Sequence, residues 1–245
     1  MTRPVLVLLA GWGMPPPVWD AIRPGLASLA EIHAPDWMAD LERHSEAAPD
    51  ETLTQVARQL AERMPENAIW LGWSLGGAVA TAVAAQEAAG VRAVLHVAHR
   101  PRFLRDESRD GGMSPDLFTG FRAAFREDPC AAWKRFQGLV CQGAPTFRQD
   151  LRRLQALCGE NPPVSTAALS RGLDLLEFAD QRAALDTLRC PRYILQGDRD
   201  SLTPPAMIRP DHALSTVLPH AAHAPFISHP EEFLAWLSRT LSLLP

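Results

Sequence analysis

The pattern Gly72-x-Ser74-x-Gly76 constrains the fold of this chain more than any other stretch. An apolar run at residues 68–71 precedes it, and a run rich in alanine and valine follows at residues 78–89. This order predicts a strand that enters a helix through one sharp turn, with glycine where a Cβ atom would strike a neighbouring element. We therefore predict that Ser74 is a nucleophile. The simpler alternative is a serine that only caps the helix.

The composition is that of a globular protein. The chain has 245 residues, of which 47% are hydrophobic and 21% are charged, so it can bury a substantial core. Its net charge of −4 offers no general basic field for a nucleic acid. No apolar run reaches the roughly 18 residues that cross a bilayer, the N-terminus lacks the pattern of a secretory signal, and the cysteines form no C-x-x-C pair. We expect a monomeric, cytoplasmic protein without a nucleic-acid or membrane partner.

Strand-like and helix-like segments alternate along most of the chain, which predicts an α/β fold. Strands are predicted at residues 4–10, 31–34, 68–71, 91–98, 192–197 and 215–218. Helices are predicted at residues 18–29, 52–64, 78–89 and 230–244, and a loop at residues 38–50. Only helical patterns occur from about residue 105 to 184. We therefore predict a mostly parallel sheet of about six strands with helices on both faces. The predicted division is a core at 1–104, an inserted helical cap at 105–184 and the rest of the core at 185–245.

Several polar segments fall where predicted strands end. They are Ser74 and residues 11–14, 99–101 and 198–200. Ligands of parallel sheets bind beyond the carboxyl ends of the strands, so we expect these segments to meet at one site.

A nucleophilic serine needs a histidine to take its proton and a carboxylate to orient that histidine. The expected order along the chain leaves Asp198 or Asp200 as the acid. We favour Asp200, because two residues of turn let its side chain reach back, and Asp198 can stabilise the turn itself. Of the three late histidines we favour His223, which lies in mid-loop; His229 suits a helix start, and His220 suits an ordinary loop.

The negative charge that develops on a reacting carbonyl oxygen needs two backbone N–H groups. We predict the N–H of Leu75, which follows the nucleophile, and the N–H of Trp12, in the loop after the first strand. Gly11 and Gly13 would let this backbone approach the substrate. Alternatively, Trp12 is a packing residue.

Two histidine pairs suggest a metal site, His96-x-x-His99 and His220-x-x-His223. The first pair lies on a predicted strand, where positions three apart face opposite sides, and the second lacks an obvious third ligand. We expect no metal and no other cofactor.

With these residues the chain resembles the α/β-hydrolase superfamily and, within it, the pimeloyl-[acyl-carrier protein] methyl ester esterases of biotin synthesis. The resemblance lies in Gly11-Trp12-Gly13, in the run from Ala68 to Gly77 and in the run from His223 to Phe233. It implies a serine esterase that hydrolyses the methyl ester of a carrier-bound dicarboxylate. The catalytic residues it implies are Ser74, Asp200 and His223, with the amides of Trp12 and Leu75 binding the oxyanion.

The resemblance also implies contacts in the cap. Substrate and carrier protein would be bound by Trp12, Phe136, Arg135, Arg148 and Arg152. Residues 120–155 contain seven basic and three acidic side chains, which suits an acidic carrier protein, although a solvated helical face explains the cluster equally well.

One departure qualifies the resemblance. Ala10 stands where many relatives have histidine, so the loop after the first strand has to be held differently. A carboxylesterase of small free esters is the main alternative function. A ligand receptor that catalyses no reaction is the third candidate function.

Overall fold

The computed structural model describes residues 3–44, 47–86, 90–106, 112–204 and 214–244. Its strands are β1 (Val5–Leu9), β2 (Glu31–His33), β3 (Ile69–Trp73), β4 (Ala93–Val97), β5 (Arg192–Gly197) and β6 (Leu214–Leu218). All neighbouring strands pair in parallel, in the order β2-β1-β3-β4-β5-β6. The predicted parallel sheet of six strands is confirmed.

The helices connect and cover these strands. They are α1 (Arg23–Leu29), α2 (Pro49–Arg63), α3 (Leu75–Ala84), α4 (Pro115–Glu127), α5 (Pro129–Cys141), α6 (Phe147–Cys158), α7 (Thr166–Phe178), α8 (Arg182–Thr187), α9 (Pro225–Ser228) and α10 (Pro230–Leu243). Every residue of β3 and β4 is buried, because helices cover both faces of the sheet. This explains why the two strands are continuous apolar runs rather than alternating ones.

Two segments differ from the sequence prediction. The single helix predicted at residues 18–29 is a 3₁₀ helix (Pro16–Ala21) followed by α1. Pro24, in the first turn of α1, cannot donate the hydrogen bond that would continue a helix from the preceding segment. The predicted loop at residues 38–50 contains a second 3₁₀ helix (Met38–His44), which buries Met38 and Leu41.

Helices α4 to α7 lie between β4 and β5 in the chain, where the inserted cap was predicted. Two indole N–H groups connect this part to the loop after β1. Trp12 Nε1 donates to the carbonyl oxygen of Leu169 at 2.8 Å, and Trp133 Nε1 donates to that of Gly13 at 2.7 Å. Helix α8 crosses the boundary predicted at residue 184, and the three-part division stays a prediction.

The described residues include no helix with the length and apolar character needed to cross a membrane. The four cysteines are free thiols, and Cys141 and Cys158 are buried.

The turn from β3 into α3 is closely packed against neighbouring backbone. Ser74 has a φ of 55° and a ψ of −122°, a backbone conformation that residues other than glycine rarely adopt. A Cβ atom on Gly76 would lie 2.3 Å from the carbonyl oxygen of Leu9, and one on Gly72 would lie 2.4 Å from that of Gly76. Helix α3 can therefore approach β1 and β3 only without these side chains.

We predict that Gly76→Ala lowers the free energy of unfolding by about 1–3 kcal/mol or more, since the new methyl group would overlap backbone atoms that cannot move aside. Gly120→Ala is the matched control, because Gly120 is exposed in α4 and a Cβ atom there meets nothing within 4 Å. It should raise the free energy of unfolding by about 0.4–1 kcal/mol. Urea denaturation measures both, and equal stability of the two variants would contradict the packing argument.

Candidate active site

Ser74 lies at the carboxyl end of β3 and at the start of α3. Its backbone N–H donates to the carbonyl oxygen of Val97 at 2.9 Å, and its own carbonyl oxygen accepts from Gly77 N at 2.9 Å. The residue is 7% exposed and lines a cleft. The start of α3 directs its partial positive charge at this position, which favours an anionic oxygen there.

Asp200 and His223 meet in the interior, beyond the ends of β5 and β6. The Nδ1 atom of His223 donates to Asp200 Oδ2 at 2.8 Å, and the two residues are 1% and 3% exposed. Asp200 also accepts hydrogen bonds from the backbone N–H groups of Leu202 and Thr203 and from the Thr203 hydroxyl. Burial raises the pKa of Asp200, but the positive charge of His223 and these hydrogen bonds outweigh burial and lower the pKa below its usual value. The carboxylate is therefore charged at neutral pH.

The opposite nitrogen of His223, Nε2, is buried and has no hydrogen-bond partner among the described residues. Because Nδ1 carries the hydrogen that Asp200 accepts, Nε2 of the neutral ring has a free lone pair. Trp73, the residue before Ser74, holds this loop: its Nε1 donates to the carbonyl oxygen of His223 at 2.8 Å. No hydrogen bond joins the Ser74 hydroxyl to His223 in the described structure.

The alternative acid and histidines have other contacts. Asp198 Oδ1 accepts the backbone N–H of His220 at 2.5 Å, as expected of a residue that stabilises the turn. His229 is the N-cap residue directly before α10, and its Nδ1 lies 2.8 Å from the Ser228 hydroxyl. Neither His220 nor His229 contacts Asp200 among the described hydrogen bonds.

The loop after β1 passes next to the nucleophile. A Cβ atom on Gly11 would lie 3.1 Å from Ser74 Cβ, so the backbone before Trp12 is in close contact with the serine. Leu75 is the first residue of α3, where a backbone N–H has no acceptor within the helix. In place of the histidine expected at position 10, the carbonyl oxygen of Ala10 is bound by Trp37 Nε1 at 3.0 Å.

The Trp12 ring is fully buried in an aromatic cluster with residues of the cap. Its centroid lies 5.0 Å from that of Phe136, 5.7 Å from that of Phe121 and 5.9 Å from that of Phe125, all edge to face. The rings of Trp12 and Phe136 thus pack against each other, and their predicted contacts with substrate stay predictions.

The cap arginines lie on the surface. Arg135 on α5 and Arg148 and Arg152 on α6 are exposed and form no ion pair within the described part of the chain. Other basic residues of the cluster have internal partners: Arg122 pairs with Asp174 and Glu177, and Arg153 donates to backbone carbonyl oxygens. Arg135, Arg148 and Arg152 therefore present charges on the surface of α5 and α6 that no described acidic side chain neutralises.

A cleft beside Ser74 encloses about 330 Å³ of space, part of it open to solvent. Its polar lining is made by Ser74, His99, Arg100, Gln181 and Thr203, and its remaining walls are apolar. Sequence reasoning placed residues 99–101 at this edge of the sheet but gave them no role. It missed Gln181, which no motif marks.

The prediction that His96 and His99 face opposite sides is wrong. Their ring centroids are 4.8 Å apart, because Ala98, with a φ of 47°, turns the chain between them. The described residues contain no group of three histidine, cysteine, aspartate or glutamate side chains that could hold a metal ion.

Solved structures share this fold. The esterase EaEST from Exiguobacterium antarcticum superposes with a TM-score of 0.79 at 16% identity, covering 98% of this chain and 92% of the esterase. A hydrolase from Oleispira antarctica superposes with a TM-score of 0.80 at 13% identity, covering 99% and 92%. At these identities the likeness shows the fold alone.

Sequence comparison is more specific. The model of the alpha/beta hydrolase family matches residues 6–236. The pimeloyl-[acyl-carrier protein] methyl ester esterase of Sodalis glossinidius is 40% identical over 235 residues, covering 93% of this chain and 90% of the relative. That of Citrobacter koseri is 38% identical over 233 residues, with the same two shares. The chain therefore belongs to the alpha/beta hydrolase family and, within it, to the family of the pimeloyl-[acyl-carrier protein] methyl ester esterases.

Proposed function

We propose that this chain is a serine carboxylesterase that hydrolyses the methyl ester of pimeloyl-[acyl-carrier protein] in the cytoplasm. The names of its relatives support the substrate. The observation that carries the chemistry is the buried pair of Asp200 and His223, joined at 2.8 Å, with the opposite histidine nitrogen free to accept a proton. No cofactor is needed for such a reaction.

In this proposal Ser74 attacks the ester carbonyl while His223 Nε2 accepts its proton. Asp200 orients the ring and stabilises the imidazolium that forms, since its carboxylate is already charged and held by three further donors. The backbone N–H groups of Trp12 and Leu75 bind the oxyanion. His223 then returns its proton to the departing methoxide, and methanol leaves. A water molecule, deprotonated by the same histidine, hydrolyses the acyl-enzyme.

The exposed arginines of α5 and α6 fit the carrier protein. Acyl-carrier proteins are acidic, and an arginine without an internal ion pair can form a bidentate contact with a carboxylate. Arg148 and Arg152 are four residues apart on α6 and so lie on the same face of that helix. Arg135 would extend this surface from α5. The predicted monomer stays a prediction.

We predict that Ser74→Ala lowers kcat/KM for p-nitrophenyl acetate by about 10⁴-fold or more, because no other hydroxyl stands on the turn. A fluorophosphonate probe should add its mass to the wild-type chain and not to the variant. Unchanged thermal unfolding would show that the fold is intact. Full turnover by the variant would refute the nucleophile, and a wild-type chain that forms no adduct would favour a receptor without catalysis.

We predict that Asp200→Asn lowers kcat for the same ester by on the order of 10⁴-fold, because a neutral amide can neither hold the productive tautomer nor stabilise the imidazolium. Asp198→Asn is the matched control: it keeps an oxygen for the backbone N–H of His220 and should change kcat only a few-fold. A larger loss of kcat in Asp198→Asn than in Asp200→Asn would indicate that Asp198 is the catalytic acid residue of the triad.

We predict that the double variant Arg148→Glu/Arg152→Glu lowers the ratio of kcat/KM on carrier-linked to free methyl pimelate by at least about tenfold, through loss of attraction to an acidic partner. Arg58→Glu/Arg239→Glu changes the net charge equally at exposed positions on α2 and α10 and should leave the ratio unchanged. A ratio that both double variants leave unaltered would favour the esterase of small free esters.

A further inference from the structure

The carbonyl oxygen of Ser74 accepts two hydrogen bonds that come from different parts of the chain. The backbone N–H of Gly77 donates to it at 2.9 Å from within the same turn. The Nδ1 atom of His99 donates to it at 2.9 Å from the loop that follows β4. A carbonyl oxygen has two lone pairs, so both are used. Of the two bonds, the one from His99 connects this carbonyl group to a neighbouring strand.

His99 acts here as a neutral donor. Because a carbonyl oxygen can only accept, Nδ1 carries the hydrogen. Burial lowers the pKa of His99 to about 4; the hydrogen bond to Ser74 opposes this effect, and the charge of Arg100 adds to it. The ring is therefore neutral at neutral pH, and its single N–H is the one that Ser74 accepts. The opposite nitrogen, Nε2, is buried without a partner in the described ranges, so the ring occupies this place although one of its polar atoms is unsatisfied.

Packing fixes the His99 ring against the start of α3. A Cβ atom on Gly77 would lie 2.4 Å from His99 Cγ and 2.7 Å from its Nδ1. The ring centroid of His96 lies 4.8 Å from that of His99. His96 is itself held, because its Nε2 lies 2.9 Å from the Thr81 hydroxyl, which donates to the carbonyl oxygen of Gly77 at 2.9 Å. The direction of the His99 N–H is thus set by its surroundings as well as by the bond it makes.

The carbonyl group of Ser74 and the N–H of Leu75 belong to one peptide unit. A trans peptide is planar, and its C=O and N–H point in opposite directions. A hydrogen bond that fixes the carbonyl group therefore also fixes where the N–H points. Such a bond polarises the peptide as well, which makes its N–H a stronger donor. The N–H of Leu75 is one of the two donors that bind the oxyanion in the proposed reaction.

We propose that His99 is a positioning residue of the oxyanion hole, which orients and polarises the N–H of Leu75 through its hydrogen bond to the carbonyl oxygen of Ser74. This rests on the proposed esterase function. The negative charge that the N–H binds exists in the transition state and not in the bound ester. The bond from His99 should therefore support kcat and leave KM nearly unchanged, whichever acyl group the ester carries.

Two variants of His99 separate the donor from the packing. The side-chain nitrogen of asparagine is as many bonds from Cα as Nδ1 of histidine, so His99→Asn can keep the bond to Ser74 while it leaves part of the ring volume empty. His99→Leu fills more of that volume and donates nothing. A role in packing alone would make His99→Asn the more damaging change, whereas a role as donor would make it the milder one.

We predict that His99→Leu lowers kcat for p-nitrophenyl acetate by about tenfold or more, with KM within about threefold of wild type, since loss of a whole oxyanion-hole donor costs about 10²–10³-fold. His99→Asn should keep kcat within about threefold of wild type, because the donor is restored. His96→Leu is the matched control: it removes a buried ring that packs against His99 but leaves both bonds to the Ser74 carbonyl oxygen. It should lower thermal stability and leave kcat nearly unchanged.

A transition-state analogue examines the oxyanion hole directly. A trifluoromethyl ketone is attacked by the oxygen of Ser74 while the hydroxyl proton passes to His223, and the ketone oxygen becomes an oxyanion bound by the hole. The dissociation constant of this adduct should rise in His99→Leu by the factor by which kcat/KM falls, and it should return towards the wild-type value in His99→Asn. The corresponding alcohol, which forms no oxyanion, should bind all variants alike.

Equal kcat of wild type and His99→Leu, a larger loss in His99→Asn than in His99→Leu, or parallel loss of ketone and alcohol binding would each overturn the positioning role. A wild-type chain that neither turns over an ester nor binds the ketone would instead overturn the esterase function. Nuclear magnetic resonance still decides whether His99 orients the peptide. In protein labelled with carbonyl-¹³C serine and ¹⁵N leucine, the Ser74–Leu75 peptide gives the signal that Ser74→Ala removes. His99→Leu should shift this signal in both dimensions and His99→Asn should restore it; a signal that does not move in His99→Leu would reject the proposal.

Discussion

The positive φ of Ser74 is the constraint on which the rest of the site depends. Such a conformation costs on the order of 1–3 kcal/mol and persists only where the surroundings determine it. Here the N–H of Ser74 donates to Val97, and its carbonyl oxygen accepts from Gly77 and His99, so hydrogen bonds on both sides hold this residue. The missing side chains at Gly72 and Gly76 let α3 close onto the sheet. The strain, the close packing and the position of Ser74 at the cleft are thus consequences of one turn.

Two of the buried histidines near this turn, His223 and His99, show how the groups that a histidine contacts determine its chemistry. His223 faces a charged carboxylate, which can stabilise a positive ring, whereas His99 faces a carbonyl oxygen and the guanidinium of Arg100, which cannot. The first ring is therefore suited to accept and return a proton, and the second is suited to donate a hydrogen bond while remaining neutral.

The sequence predicted the features that short-range patterns determine. The strand, the turn and the helix around Ser74 follow from glycine spacing and apolar runs, and the close pairing of Asp200 with His223 follows from two loops at one sheet edge. It could not predict the contact of His96 with His99, because local periodicity marks neither the positive φ of Ala98 nor the packing of the His99 ring against Gly77. Gln181 lies at the cleft because the chain comes back to the core after α7. No local sequence pattern predicts this long-range contact. The catalytic roles of the three residues stay predictions.

The exposed charges of the cap give the proposed enzyme a means of selecting its partner before the two proteins are in contact. Arg122 is neutralised by Asp174 and Glu177, so the charge that remains on the cap belongs to exposed side chains such as Arg148 and Arg152. Exposed charges act over about a Debye length and mainly speed the encounter with an acidic partner. A carrier protein would therefore be selected by the cap surface before its acyl group enters the cleft.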